Sequence, residues 1–277
     1  MGKRPAFLHG RGRCIFCERQ PPDVKISKEH IFGDWLREIF PRDATTTHTH
    51  GIIDLPVIGP ADVHPTVTIG GGQGHSGTKK VKVVCATCNE TWLSTKVEEP
   101  ARPILIPLIA GRACGLSVPM QRVLATWAAK TVMTAEHVNK RPAVIHQSER
   151  TWLKADLSPP PGWFVSAVPY NDAEWRDLGI FQHSGHLAIP SDNGTEIEHY
   201  LGLTFVGMGR LFLLVRYSSW PRIWDMFGGD GVMDALRIWP PHQTNVPWIP
   251  QNFITDAQVE YFTTYIKRIL EQPISLT

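Results

Sequence analysis

The sequence predicts an α+β protein, and three observations carry that prediction. Two Cys-x-x-Cys pairs, Cys14/Cys17 and Cys85/Cys88, bracket much of the N-terminal third. A run with a helical apolar face (Val123, Leu124, Trp127, Ala128, Val132, Ala135) marks a long helix after them. Beyond Pro159-Pro160-Pro161, taken as a linker, come strand-like segments, two of them joined by a Gly207-Met208-Gly209 turn. The 277 residues are 42% hydrophobic, enough for a substantial core in one large domain or two smaller ones. The expected division is residues 1–102, with an insertion at 43–78, followed by a companion region of helices and an antiparallel sheet at 103–277.

The elements follow in order. From Cys14 to about Arg42 the chain runs from a cysteine knuckle through an extended stretch into a helix. Phe32, Trp35, Leu36, Ile39 and Phe40 repeat at helical spacing, so a two-turn amphipathic helix should begin just after His30 and end at Pro41. Residues 43–78 are poorly periodic, with short strand-like runs at Gly51–Val57 and Thr66–Ile69 between turn residues. Val81–Cys85 reads as a strand entering the second cysteine pair. Thr91–Val97 reads as a helix packing Trp92 and Leu93, closed by Pro100 and Pro103. In the companion region the strand-like segments are Trp163–Val168, Gly179–Ile189, His199–Val206 and Arg210–Arg216. A last helix runs from about Asp256 to Glu271, with Thr255 and Gln258 as a capping box. This half carries no catalytic motif, and the chain has no internal repeats.

A net charge of +2 argues neither for nor against a nucleic-acid partner, but the distribution is uneven. Lys3, Arg4, Arg11 and Arg13 meet no acidic residue before Glu18, and Lys79, Lys80 and Lys82 cluster just before Cys85. Both patches flank the cysteines, where phosphates would approach; the plain alternative is a solvated arm and a strand edge guarded by lysines. The first residues lack the apolar stretch of a signal peptide, and no run approaches the ~20 apolar residues of a membrane span. The expectation is a soluble cytoplasmic protein, which keeps cysteines reduced and favours metal over disulfide for the pairs. Cys114 reads as a small buried hydrophobe.

Each two-residue gap lets both sulfurs of a pair face one ion from a tight turn, and a tetrahedral zinc site needs two such pairs. A thioredoxin-like redox site would need only one pair, at the start of a helix. Between the pairs, Glu29 and His30 bring a hard carboxylate and an imidazole that titrates near neutrality. The carboxylate suits Mg²⁺, and the imidazole suits water activation for phosphodiester hydrolysis.

Cys14-x-x-Cys17, Glu29-His30-Ile31 and Cys85-Ala-Thr-Cys88-Asn89-Glu-Thr-Trp92, with Glu98 following, resemble the HNH nucleases, whose ββα-metal core is stapled by zinc. The resemblance covers roughly residues 10–100 and continues less specifically into Trp127-Ala-Ala-Lys130. It implies that His30 is the general base, Glu29 a ligand of the catalytic Mg²⁺ or Mn²⁺, Asn89 a clamp on the catalytic loop and Glu98 the second metal ligand. Two positions depart from the pattern. Glu98, with Glu99 beside it, stands where the family often has His or Asn, and Gly33 stands where many members carry proline.

Other features are set aside. Gly72-Gln-Gly74-His-Ser-Gly77 matches G-x-G-x-x-G, but a strand rather than a helix follows, so it reads as a hairpin loop. His48, His50, His64 and His75 read as exposed loop histidines. Trp152, Trp163, Trp175, Trp220, Trp224, Trp239 and Trp248 read as packing in the core or in a homodimer interface rather than as base-stacking platforms. The functional expectation is a metal-dependent HNH endonuclease acting on DNA, double-stranded by analogy. Its rivals are a non-catalytic zinc module that binds nucleic acid or protein, and an enzyme whose activity lies in residues 103–277.

Overall fold

The structure is a computed structural model that describes residues 12–40, 47–54, 66–73, 79–138, 143–171, 180–190, 197–220, 224, 235–261 and 264. Strand β1 (Ile26–His30) is followed by β2 (Thr47–Asp54), β3 (Thr66–Gln73) and β4 (Lys80–Cys85). In β4 buried Val81 and Val84 lie among exposed Lys80 and Lys82, a half-buried strand pattern. It pairs antiparallel with β1, from Ile26↔Cys85 to His30↔Lys80.

Asp34–Glu38 forms a 3-10 helix, not the expected two-turn amphipathic one. The run is confined between Gly33 and Pro41, and Phe40, before proline, is steered away from helical backbone. Too few residues remain to nucleate two α turns.

After β4 the chain enters an 11-residue π-helix, Cys88–Glu98, which passes directly into α1 (Glu99–Ile109). The helix therefore runs past Pro100 and Pro103, where it was expected to close, and through position 102. Pro100 stands just past the junction of the π-helix with α1, so its missing N–H removes one bond where the helix changes from π to α spacing. Pro103 and Pro107 lie inside the helix at about 3 kcal/mol each. Burial of Ile104, Leu105, Leu108 and Ile109, at about 1.5–3 kcal/mol apiece, outweighs them.

Strand β5 (Cys114–Ser117) leads into α2 (Val118–Ala135), buried along most of its length and packed on α1, α3 (Gln147–Asp156), β5 and two later strands, β9 (Leu211–Ser218) and β10 (Leu236–Trp239). α3 has few apolar residues and was not expected. Ser158, Pro159 and Pro160 behind it are buried, so the proline run is packed chain and not a solvated linker.

The remaining strands are β6 (Trp163–Pro169), β7 (Ile180–Pro190), β8 (Ile197–Met208), β9 (Leu211–Ser218), β10 (Leu236–Trp239) and β11 (Asn245–Trp248). One seven-stranded sheet has the order β10-β6-β9-β8-β7-β2-β3, and β11 pairs separately with β5. The expected sheet was wholly antiparallel; the β2–β7 pairing is parallel, and the hairpin between the cysteine pairs extends this sheet. The β8–β9 turn rests on the end of α1: a Cβ on Gly209 (φ +53°) would meet Ile109 O at 2.8 Å. At β9 both faces of the sheet are covered. Leu211, Leu213, Val215 and Tyr217 of β9 join the main core, and Phe212 joins a second cluster with Val168, Phe205 and Ile254. The main core takes residues from both sides of position 102. Trp163, Trp224 and Trp248 are buried, whereas Trp152 is 45% exposed.

The C-terminal helix is described over 256–261, with the capping box formed: Gln258 Oε1 accepts from Thr255 N at 2.9 Å. Its continuation to Glu271 lies outside the described residues, as do Lys3, Arg4, Arg11, Gly74, Gly77, His64, His75, Trp175 and the side chains of His48 and His50. No helix among the described residues is long and apolar enough to cross a membrane.

Candidate functional site

The first cysteine knuckle closes through Cys14 N to Arg19 O and Glu18 N to Cys14 O, with Glu18 in the left-handed region (φ 59°). Ile15 N donates to Val83 O, which lays the knuckle against β4. Cys85 ends β4 and Cys88 opens the π-helix, so the four sulfurs converge, all within 4.8 Å of one another. The group can hold a metal ion. Cys17 Sγ to Cys85 Sγ is 3.7 Å, and a tetrahedron built on ~2.3 Å zinc–sulfur bonds has edges of about 3.8 Å. A hydrogen bond from Cys88 holds the Cys14 thiol down at about 4, and the same bond pushes Cys88 up; binding a dication releases such protons altogether. Lys154 Nζ lies 3.3 Å from Cys88 Sγ and Arg19 bonds Cys17, offsetting the negative charge of the thiolates.

A bulge between Ser27 and Glu29 decides where the Glu-His step points. Strict alternation from buried Ile26 would bury Lys28; the irregularity exposes Lys28 and turns Glu29 inward, 5% exposed. His30 then emerges half-buried at the strand end, and its Nε2 lies 3.1 Å from Asp34 Oδ1. Asp34 Oδ2 also pairs with Arg37 at 2.8 Å. Burial, followed by the charge of Lys80, holds His30 below its ordinary value, with Asp34 opposing.

Glu29 and Glu98 come together on Lys130, which is fully buried on α2. Lys130 Nζ stands 2.5 Å from Glu98 Oε1, 3.4 Å from Glu29 Oε1 and 3.2 Å from Ile31 O. The other oxygen of Glu98 accepts two indole N–H groups, from Trp35 at 3.0 Å and Trp127 at 3.1 Å. Burial works against the Lys130 charge, but Glu98 and then Glu29 overcome it and raise its pKa. Burial pushes Glu29 up, with Lys130 pulling it back. Gly33 leaves room for this cluster: a Cβ would stand 2.2 Å from Glu98 Oε2 and 2.3 Å from Trp35 Nε1, so both side chains would have to shift.

A divalent ion bound by both carboxylates would need about 2.1 Å to each oxygen, in the space the ammonium holds. The residues present do not fit an ion shared by Glu29 and Glu98. Among the described residues, the four cysteines are the group of three or more His, Cys, Asp or Glu side chains close enough to hold a metal.

No protein-family model, no curated protein and no solved structure matches this chain.

Asn89 Nδ2 donates to Ser27 Oγ at 3.1 Å and Lys28 O at 3.4 Å, tying the start of the π-helix to β1 one residue before Glu29. Lys25, Lys28, Lys80 and Lys82 are exposed on or beside the β1–β4 ribbon. Glu99 is exposed, so Glu98 rather than its neighbour joins the cluster. Sequence reasoning misses Asp34 and Lys154 and gives Lys130 no role. Asp34 could have been found four residues from His30, and Lys130 as a lysine inside an apolar helical run, three residues after Trp127.

Proposed function

We propose that this chain is a zinc-stapled endonuclease of the HNH kind, hydrolysing phosphodiester bonds in DNA with His30 as general base. The observation that carries the reading is the His30–Asp34 contact at the end of β1. Asp34 engages Nε2 and orients the ring, which leaves Nδ1 to take a proton from an attacking water. Burial and Lys80 favour the neutral imidazole that a base requires. The exposed lysines of the ribbon supply positive charge for a phosphate backbone. Four thiolates in this geometry suit structural zinc, and the reducing cytoplasm is the setting that keeps them available. The antiparallel β1–β4 ribbon leading into a helix supports this reading, since the resemblance implies two strands followed by a helix.

One observation favours a second reading, a non-catalytic zinc module that binds nucleic acid: Lys130 fills the space between the two carboxylates expected to hold the catalytic ion. Plasmid nicking with and without Mg²⁺ or Mn²⁺ separates the two. Wild type should cut and His30→Ala should not. Wild type that binds DNA but fails to cut it under every divalent ion tried leaves only the second reading. His30→Ala cutting as fast as wild type removes His30 from the role of base.

A further inference from the structure

We infer that Glu29 and Glu98 take no divalent cation, because the Lys130 ammonium is the cation of that site, built into the chain. Four oxygens surround Lys130 Nζ: Glu98 Oε1, Ile31 O, Glu29 Oε1 and His30 O, at 2.5, 3.2, 3.4 and 3.5 Å. Lys130 is 0% exposed, so bulk water does not compete for its donors. Glu98 has no oxygen to spare, since Oε2 already serves two indoles. Displacing the ammonium would leave a charge on a fully buried side chain of α2 without the carboxylates that now compensate it. The carboxylates themselves would then regain only one cation for another.

The consequence reaches the proposed base. Lys130 also donates to the carbonyl oxygens of His30 and of Ile31, tying α2 to the backbone that carries His30. Glu29 and Glu98 belong to the same device. Glu98 links Trp35 beside the β1 exit to Trp127 on α2, and Glu29 closes the cluster from the strand. The cation inference does not depend on the nuclease reading, although its bearing on His30 does.

The test uses Mn²⁺ itself, titrated into the zinc-loaded full chain and followed by electron paramagnetic resonance. Wild type, Glu29→Gln and Glu98→Gln are expected to bind Mn²⁺ alike, and folded Lys130→Ala to bind it at least about tenfold more tightly. A wild-type Mn²⁺ site weakened about tenfold by either glutamine substitution overturns the inference. So does folded Lys130→Ala that binds no better than wild type. A second arm needs no variant to fold: the buried lysine ammonium resonance of wild type should be unmoved by saturating Mg²⁺, and a shift or loss overturns the inference. Nicking by His30→Ala bears on the nuclease reading alone, so the two can fail separately.

Discussion

Lys154 Nζ lies 3.3 Å from Cys88 Sγ, so helix α3 reaches the cysteine cluster directly. Gln147, at the other end of α3, donates to Ile15 O at 2.9 Å, and the helix thus spans the knuckle from both ends. Four thiolates around a dication carry a net charge of about −2, and the ammonium offsets part of it while orienting the sulfur. Lys154→Met should weaken zinc by about 10–100-fold, measured by competition with a chelating indicator, with the fold retained. Cys85→Ser should release the ion and unfold the N-terminal part, read by metal analysis together with circular dichroism.

His30 should impose a pH profile on hydrolysis. Its pKa is lowered by burial and by Lys80, so the neutral, proton-accepting form appears as pH rises through a value below about 6.5. kcat/KM should therefore climb on the acid side and be level by neutrality. Lys80→Ala should move the midpoint up and Asp34→Asn should move it down. A midpoint unmoved by both substitutions would count against His30 as the titrating base.

Gly33→Ala tests the Glu98 cluster without touching a charge. The backbone there (φ −53°, ψ 137°) suits any residue, so the penalty comes from the added methyl group alone. It would press on Glu98 Oε2 and Trp35 Nε1, and overpacking of this kind costs about 1–3 kcal/mol. Urea unfolding should register it. Trp35→Phe in the same background should recover part of the loss, because one crowding atom is gone.

Arg150 and Glu136 form a buried ion pair, and Glu136 also accepts from the backbone of Val144 and Ile145. Arg150→Met leaves a buried carboxylate without its partner, at about 3–5 kcal/mol near neutral pH. Burial already raises the Glu136 pKa, and losing Arg150 raises it further. A raised folded-state pKa means the folded form binds the proton more tightly. The variant's deficit should thus shrink as pH falls toward the unfolded carboxylate value, about 4.5, and grow as pH rises. Denaturation midpoints at several pH values check the slope.

How much of this was legible beforehand depended on whether a signal was local. The cysteine pairs, the Val/Lys alternation of β4, the apolar face of α2 and the β8–β9 turn are local patterns, and each stands close to where it was expected. The 3-10 helix after His30 shared its spacing with an α-helix, and only its confinement between Gly33 and Pro41 separates the two. α1 ran through prolines because tertiary burial, invisible in a window of sequence, outweighed their cost. α3 escaped because its residues are mostly polar and its partners lie in the knuckle and the sheet. Lys130 shows the limit most clearly. Sequence placed Glu29 and Glu98 in one site, but the ammonium between them arrives from a helix some thirty residues beyond Glu98.

The parallel pairing of β2 with β7 also carries a consequence in time. His50 faces Gln182 across that pairing, so roughly 130 residues must be made after the strand before its partner exists. At ~5–20 residues per second, that is roughly 7–26 s of synthesis. For that interval the β2–β3 hairpin has no sheet to join, while the second cysteine pair, only a dozen residues past β3, is already available to complete the four-cysteine group. An ion held by those cysteines would secure the base of the loop early, leaving the hairpin tethered as an open edge until β7 emerges.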